Sequence, residues 1–276
     1  MLSIKKLLMI AIVCPIFTPV LVFAGPIDPA LSVQGSVSWD ESDATLLDPA
    51  NTYSGDVYSV VGGTNTNGDV LFETLTDIGD GLGHVASLSG TYDGSATDLA
   101  GDYQLDLSNS STDTFKLTFC IEYDHSADGE GGPGNNFDAR ARSRMGFEVA
   151  PDPEFFKSEV TSESGKDYYD AGNPTWQDLF RDINGETYLG TWGAEVADAD
   201  TVFFDVVLAG NASATIYGDF HLDGRIWDTG ASYAMDSSIF IKLAAVENLT
   251  NPVVPEPTTL ALGTLALLGI AYRRYR

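Results

Sequence analysis

Residues 115–123, FKLTFCIEY, alternate without a break. Phe115, Leu117, Phe119, Ile121 and Tyr123 fall on one side, and Lys116, Thr118, Cys120 and Glu122 on the other. A period of two sustained over nine residues fits a strand buried on one face; a helix would repeat its apolar positions every three or four residues. Similar runs cover Leu31 to Trp39, Asp69 to Thr76, Tyr103 to Leu107, Ser143 to Val149, Thr187 to Trp192, Thr201 to Leu208, Ala212 to Leu222 and Ser237 to Val246. Turn pairs punctuate them: Asn67-Gly68, Asp80-Gly81, Asp93-Gly94, Asn184-Gly185 and Asp223-Gly224. About ten strands with no long helix predict an all-β chain, an antiparallel β-sandwich of jelly-roll-like build. One short helix is expected, because Trp176, Leu179, Phe180 and Ile183 share a helical face, with Asn173-Pro174 as a start and Gly185 as a stop.

The two ends differ from this pattern. Met1 to Ala24 has Lys5 and Lys6, an apolar stretch from Leu7 to Phe17, and the small residues Val22 and Ala24 before Gly25. That order predicts a signal peptide over 1–24 with a short signal helix. Pro15 and Pro19 interrupt the apolar stretch and argue against a retained anchor. Cys14 lacks the small residues that precede a lipid-modified cysteine, so it reads as part of the signal. At the other end, Pro255-Glu256-Pro257 is followed by an apolar segment over 258–272 and by Arg273, Arg274 and Arg276. Two prolines so close hold the peptide extended and accessible. The arginines suit anionic headgroups on the cytoplasmic side of a membrane.

In that order, Pro255-Glu256-Pro257, the apolar segment and the arginines resemble the PEP-CTERM sorting signal of Gram-negative bacteria, the substrate tail of exosortases. The resemblance implies export, transient anchoring in the inner membrane by a C-terminal transmembrane helix, and an exosortase-type processing enzyme as partner. The final location is then the cell surface or the extracellular matrix. Fifteen residues make a helix of about 22 Å, against a hydrocarbon core of roughly 30 Å. So short an anchor suits a tail that is removed after export. Two inner stretches, Tyr103 to Glu130 and Phe203 to Gly224, are similar to β domains found upstream of such tails; they imply a secreted β-sandwich and no particular activity.

The chain thus divides into a signal peptide (1–24), an acidic β-sandwich domain (25–247), and a linker with the sorting tail (248–276). Five of the fourteen basic residues and one of the forty acidic residues belong to the ends. Residues 25–254 keep nine against 39, a net charge of −30. Such a surface repels nucleic acid and phospholipid; it suits divalent cations or a hydrated matrix, and it keeps an exported protein soluble. Only Cys120 survives removal of the signal, so no disulfide within the chain is expected.

The strongest candidate for a ligand is Asp124-His125-Ser126-Ala127-Asp128-Gly129-Glu130. It reads as the first half of a calcium loop, with oxygen donors at Asp124, Ser126 and Asp128, a turning Gly129, and Glu130 beside them. Asn135 stands where a bidentate Glu belongs, and Asp138 is the next carboxylate. Calcium is the one cofactor this pattern suggests. The alternative is a solvated acidic loop, and the pairs Asp77/Asp80 and Asp198/Asp200 are weaker instances of the same thing. His84, His125 and His221 are too scattered for a zinc motif, and His221 is expected on the polar face of a strand. Trp39, Trp176, Trp192 and Trp227 are either core residues or sugar-stacking platforms. Arg140, Arg142 and Arg144 share a strand face. They either grip an acidic polysaccharide or pair with nearby carboxylates, and the net charge favours pairing. Cys120 is expected on the polar face, without a role. No nucleophile motif is present, so no enzymatic activity is expected. A structural or binding role follows, with an extracellular polysaccharide as the candidate partner. A secreted carbohydrate-active enzyme and a calcium-dependent adhesive module remain the alternatives.

Overall fold

The computed structural model describes residues 25–40, 52–91, 96–130, 139–150, 154–163, 179–189, 196–227 and 230–251. The expected signal peptide, Trp176, Trp192, Asp93-Gly94, Asn135, Asp138, Pro255-Glu256-Pro257, the segment 258–272 and the terminal arginines lie outside the described residues. Every regular element among those described is a strand. They run β1 (Leu31–Asp40), β2 (Thr52–Val61), β3 (Thr64–Gly68), β4 (Val70–Thr74), β5 (Gly81–Gly90), β6 (Ala96–Asn109) and β7 (Phe115–Glu130). There follow β8 (Ala139–Ala150), β9 (Glu154–Glu163), β10 (Leu179–Ile183), β11 (Glu186–Leu189), β12 (Val196–Leu208), β13 (Ser213–Ile226) and β14 (Ser232–Asn248). No helix among the described residues is long and apolar enough to cross a membrane.

The strands form two sheets, and every pairing is antiparallel. One sheet has eight strands in the order β11-β10-β9-β8-β13-β6-β1-β4; the other has six in the order β12-β7-β14-β5-β2-β3. The chain repeatedly leaves one sheet for the other, so sequence neighbours such as β6 and β7 or β13 and β14 lie in different layers. The expectation of an all-β, two-sheet antiparallel sandwich is met. With eight and six strands it is larger than an eight-stranded jelly roll.

Alternation places the core. On β7 Phe115, Leu117, Phe119, Ile121 and Tyr123 point inward, as their period predicts. They meet Tyr103, Leu105 and Leu107 of β6, Phe147 of β8, Phe156 of β9, Phe220 of β13 and Ile239 of β14 in one apolar layer. Trp39 belongs to this layer, while Trp227 is 43% exposed. Each large buried apolar side chain contributes about 1.5–3 kcal/mol relative to exposure.

Several aromatic rings of this layer lie where a neighbouring residue has no side chain. Phe220 covers Gly101, Phe147 covers Gly218, Tyr233 covers Gly224 and Trp39 covers Gly55. The glycines lend the rings the space of a missing side chain, which lets bulky residues sit close to a sheet.

Two local expectations need correction, whereas Asn67-Gly68 and Cys120 lie where they are expected. Leu179 to Ile183 is strand β10, not the end of a helix. Asn184 (φ 53) and Gly185 (φ 83) form a two-residue turn into β11, and pairing with β9 outweighs the local helical spacing. Asp223-Gly224 lies inside β13, because both its neighbours β6 and β8 continue alongside it. Asn67-Gly68 ends β3; the turn between β2 and β3 uses Gly62 (φ 56) and Gly63 (φ 75). Cys120 is buried although it faces outward, since its neighbours in register are Phe203 and Lys242. Burial raises the pKa of its thiol, which favours the unreactive protonated form.

A Cβ at Gly101 would collide with the Ser38 carbonyl oxygen and the Phe220 ring. Gly62 has nothing within 4 Å of that position, so only its left-handed backbone resists a side chain. Gly101→Val is therefore expected to cost about 3 kcal/mol or more and Gly62→Ala about 1 kcal/mol, as measured by urea unfolding.

Candidate functional site

The segment read as a calcium loop is strand. Residues 124–130 continue β7, paired with β14 throughout and with β12 as far as Ala127. Asp124, Ser126, Asp128 and Glu130 share the outer face, but an extended chain sets alternate residues about 6.8 Å apart. Calcium ligands lie 2.3–2.6 Å from the ion, so donors strung out this way do not converge. No group of three or more His, Cys, Asp or Glu side chains among the described residues could hold a metal. The reason is pairing: β12 and β14 hold the chain straight where the spacing of the oxygens suggested a turn.

The same alternation turns His125 inward, where it is 1% exposed. Its Nδ1 lies 3.0 Å from Ser143 Oγ and its Nε2 2.8 Å from Ser158 Oγ. Ser158 donates its only hydroxyl proton to Asp198 Oδ2 at 2.7 Å, so it accepts from His125. The imidazole is therefore the Nε2–H tautomer, and Ser143 donates to Nδ1. Asp198 also accepts from the Tyr123 hydroxyl at 2.9 Å and from Arg181 Nη1 at 3.2 Å. Strands β7 and β12 of one sheet are thereby tied to β8, β9 and β10 of the other. A second tie is His84, with Nδ1 2.6 Å from the Tyr103 hydroxyl and Nε2 3.1 Å from Ser237 Oγ. Its ring stacks on Phe220 with centroids 3.5 Å apart. Burial lowers the pKa to about 3 for His84 and, opposed by Asp198, to about 4 for His125. Both rings are neutral, and both are sealed inside the sandwich.

The remaining candidates have structural partners. Asp80 is 3% exposed and accepts from the backbone amides of Gly62, Thr76 and Asp77 at 2.8–2.9 Å. Arg140 pairs with Asp223 at 2.8 Å and Arg142 with Glu159 at 3.0 Å, as the net charge favoured. His221 stands on the outer face of β13 and pairs with Asp98.

That outer face, on the eight-stranded sheet, carries a trough. One part of it, an open cavity of about 520 Å³, crosses β8, β13, β6 and β1. Two rows of register partners build it. One row is Gly146, Asp219, Asp102 and Ser38; the next is Glu148, Tyr217, Gln104 and Ser36. Glycine and serines make the floor low, and the longer side chains stand as walls. A second cavity of about 340 Å³ shares Ser36 and Gln104 and carries the trough to Phe72 and Thr74 on edge strand β4. Tyr217 is 41% and Phe72 78% exposed. They stand three strands apart, about 14 Å, with amide, hydroxyl and carboxylate groups between them. Asp106 is fixed here, accepting from Gln104 Nε2 and Thr215 Oγ1 at 2.9 Å. Asp219 and Asp102 are directly opposed. Desolvation raises the pKa of Asp219 and Asp102 adds to it, while Arg144, His221 and Lys157 act against the rise.

The model of the PEP-CTERM protein-sorting motif matches residues 253–276. The chain carries a PEP-CTERM sorting motif. The motif implies export and handling by an exosortase-type system, with transient association with the membrane. No curated protein matches the chain. Two solved structures align weakly with it. The VP2 subviral particle of infectious bursal disease virus is 7% identical, with 80% of this chain and 66% of that one covered and a TM-score of 0.15. The chain thus spans just under two thirds of that protein. The Gx strain of the same virus is 8% identical, with 91% and 77% covered and a TM-score of 0.15. Scores so low carry no argument about fold or role. The PEP-CTERM motif accounts for export; the trough is one of several surface cavities among the described residues, and a larger one of about 700 Å³ lies beside Phe155, Phe203 and Val207.

Sequence reasoning missed the trough. The outward residues Asp102, Gln104 and Asp106 are visible as the polar half of an alternating strand. Nothing local shows that Tyr217 and Asp219 lie beside them.

The two buried histidines make stability depend on pH. Both folded pKa values lie below the unfolded value of about 6.5, so the unfolded chain binds more protons between roughly pH 6.5 and 4. Their contribution is complete above 6.5 and is lost as the pH falls, by up to about 1.4 kcal/mol per pH unit for each histidine. Between pH 6.5 and 5 the urea midpoint of the wild type is expected to fall. His125→Gln, though less stable at neutral pH, should show about half that slope.

Proposed function

We propose that the exported domain is a binding module for an extracellular polysaccharide, engaged through the trough of the eight-stranded sheet. In this reading an exosortase-type enzyme removes the tail, and the released domain remains at the cell surface or in the extracellular matrix. The observation that carries the reading is the pairing of two exposed rings, Tyr217 and Phe72, across a polar floor. Aromatic faces pack on the apolar faces of sugars, while amides and carboxylates satisfy the hydroxyls at their rims. An open trough also suits a polymer, which enters and leaves along its length. The domain acts by binding and not by turnover.

The test is affinity electrophoresis of residues 25–254 through gels containing neutral and amino polysaccharides, with sugar release measured in parallel. Retardation by at least one of them is expected. Tyr217→Ala and Phe72→Ala should each weaken it by about tenfold, the loss of a stacking contact of order 1 kcal/mol, with unfolding midpoints unchanged. Retardation that both variants leave intact would move the site elsewhere. Sugar release abolished by Asp219→Asn would replace a binding module with a hydrolase.

A further inference from the structure

We infer that the trough selects a glycan with free, protonated amino groups, such as a de-N-acetylated polyhexosamine, over a neutral or acidic one. This rests on the binding role proposed above and adds the chemistry of the partner. Charge complementarity supports it, on a sheet face that no other described strand covers.

The cations of the domain are distributed unevenly. Lys116 pairs with Glu247 at 3.0 Å, Arg140 with Asp223, Arg142 with Glu159, Arg181 with Asp198 and Asp200, and Lys242 with Glu122. These pairs neutralise carboxylates outside the trough. Five carboxylate residues line it: Asp102, Asp106, Glu148 and Asp219 on the outer face, and Glu73, which accepts from Ser59 Oγ at 3.0 Å. The cations facing this region are Arg144 and Lys157, at the β8–β9 end, with His221 in the same row as Arg144. Lys157 also lies over the Phe180 ring, 5.9 Å from its centroid. The middle of the trough, on β13 and β6, is left with Asp219 directly opposite Asp102.

Like charges opposed across an antiparallel pair are destabilising. Arg144 on β8 and Lys157 on β9 offset part of the charge of Asp219; Asp102 lies one strand farther from both. An ammonium group between them relieves the repulsion and gains charge-assisted hydrogen bonds on both sides. It also enters a site already fixed by the sheet, which lowers the ordering cost. An N-acetyl group at the same place has no charge to offer, and a uronate adds a further negative charge.

A strongly acidic protein attracts any polycation, so the probes must be short and the control must carry the same charge. Isothermal titration of residues 25–254 at physiological salt and mildly acidic pH would compare β-linked tetramers of glucosamine, N-acetylglucosamine and a uronic acid. The glucosamine tetramer is expected to bind at least about tenfold more tightly than the acetylated one, and the uronate not to bind. Asp102→Asn with Asp219→Asn should remove most of that preference. Asp124→Asn with Asp128→Asn, which deletes the same charge on the outer face of the other sheet, should leave it unchanged. Equal binding of the acetylated and free tetramers would overturn the selectivity and leave the binding role standing. Equal losses in the two double variants would reduce the effect to net charge and overturn it too. Failure of all three tetramers to bind, together with no retardation of any polymer, would remove both.

Discussion

A domain with a net charge of −30 and no possible disulfide has to be held from inside. Self-repulsion acts over the whole surface, and the opposing force is the layer of side chains between the sheets. Among the polar groups buried in that layer, His84 and His125 each sit among hydroxyls. A buried polar group without partners costs more than an apolar one of the same size, while a satisfied network fixes geometry that apolar contacts leave free. The His125 network is the more extensive. It reaches through Ser158 to Asp198 and then to Arg181, so it ties the edge strand β12 to the short strands β9 and β10. Beside it, edge strand β12 is held to the facing sheet by apolar packing and by the exposed Asp200–Arg181 pair at 3.3 Å.

Some carboxylates are neutralised by partners placed opposite them in the register. Arg142 is a register partner of Asp223 and pairs diagonally with Glu159. Lys116 is a partner of Glu247 and also reaches Asp205. Exposed pairs of this kind contribute little each, but they determine where negative charge remains uncompensated. On the eight-stranded sheet the arginines of β8 cover one flank. The other flank, on β6 and the near half of β13, keeps its carboxylates and is also where the floor is low enough for a ligand. Charge and shape therefore coincide at the trough, and the pairing elsewhere produces that coincidence.

The sequence showed the inside of the sandwich better than its outside. The inward residues of β7 are the alternating apolar set, because burial on one face imposes a period of two on the strand itself. Strands such as β5, GLGHVASLSG, escape that logic. Gly81 and Gly83 face outward yet are buried under Phe240 and Tyr58, whose stacked rings lie 5.5 Å apart, so the alternation disappears. The Asp124 segment failed for a related reason. Its oxygens at every second position suit a loop and a strand's outer face equally, and only the long-range partners β12 and β14 decide between them. The trough was least legible, since it depends on β13 lying beside β6, more than a hundred residues away in the chain.

The end of the domain links the sandwich to its sorting motif. β14 finishes at Asn248, and the next residues do not leave freely. Asn248 and Asn251 donate to Asp113 Oδ2 at 2.9 and 3.1 Å, and Thr114 donates its amide to Thr250 Oγ1 at 2.8 Å. The chain is thus held to the β6–β7 corner as far as Asn251. Only residues 252–254 separate that anchor from Pro255, a reach of about 14 Å from Asn251 when fully extended. The trough lies on the face of the eight-stranded sheet, whereas the anchor is formed by the ends of β7 and β14 in the other. The anchor that precedes the sorting motif and the trough therefore lie on different sheets, joined through the β6–β7 connection and the buried layer.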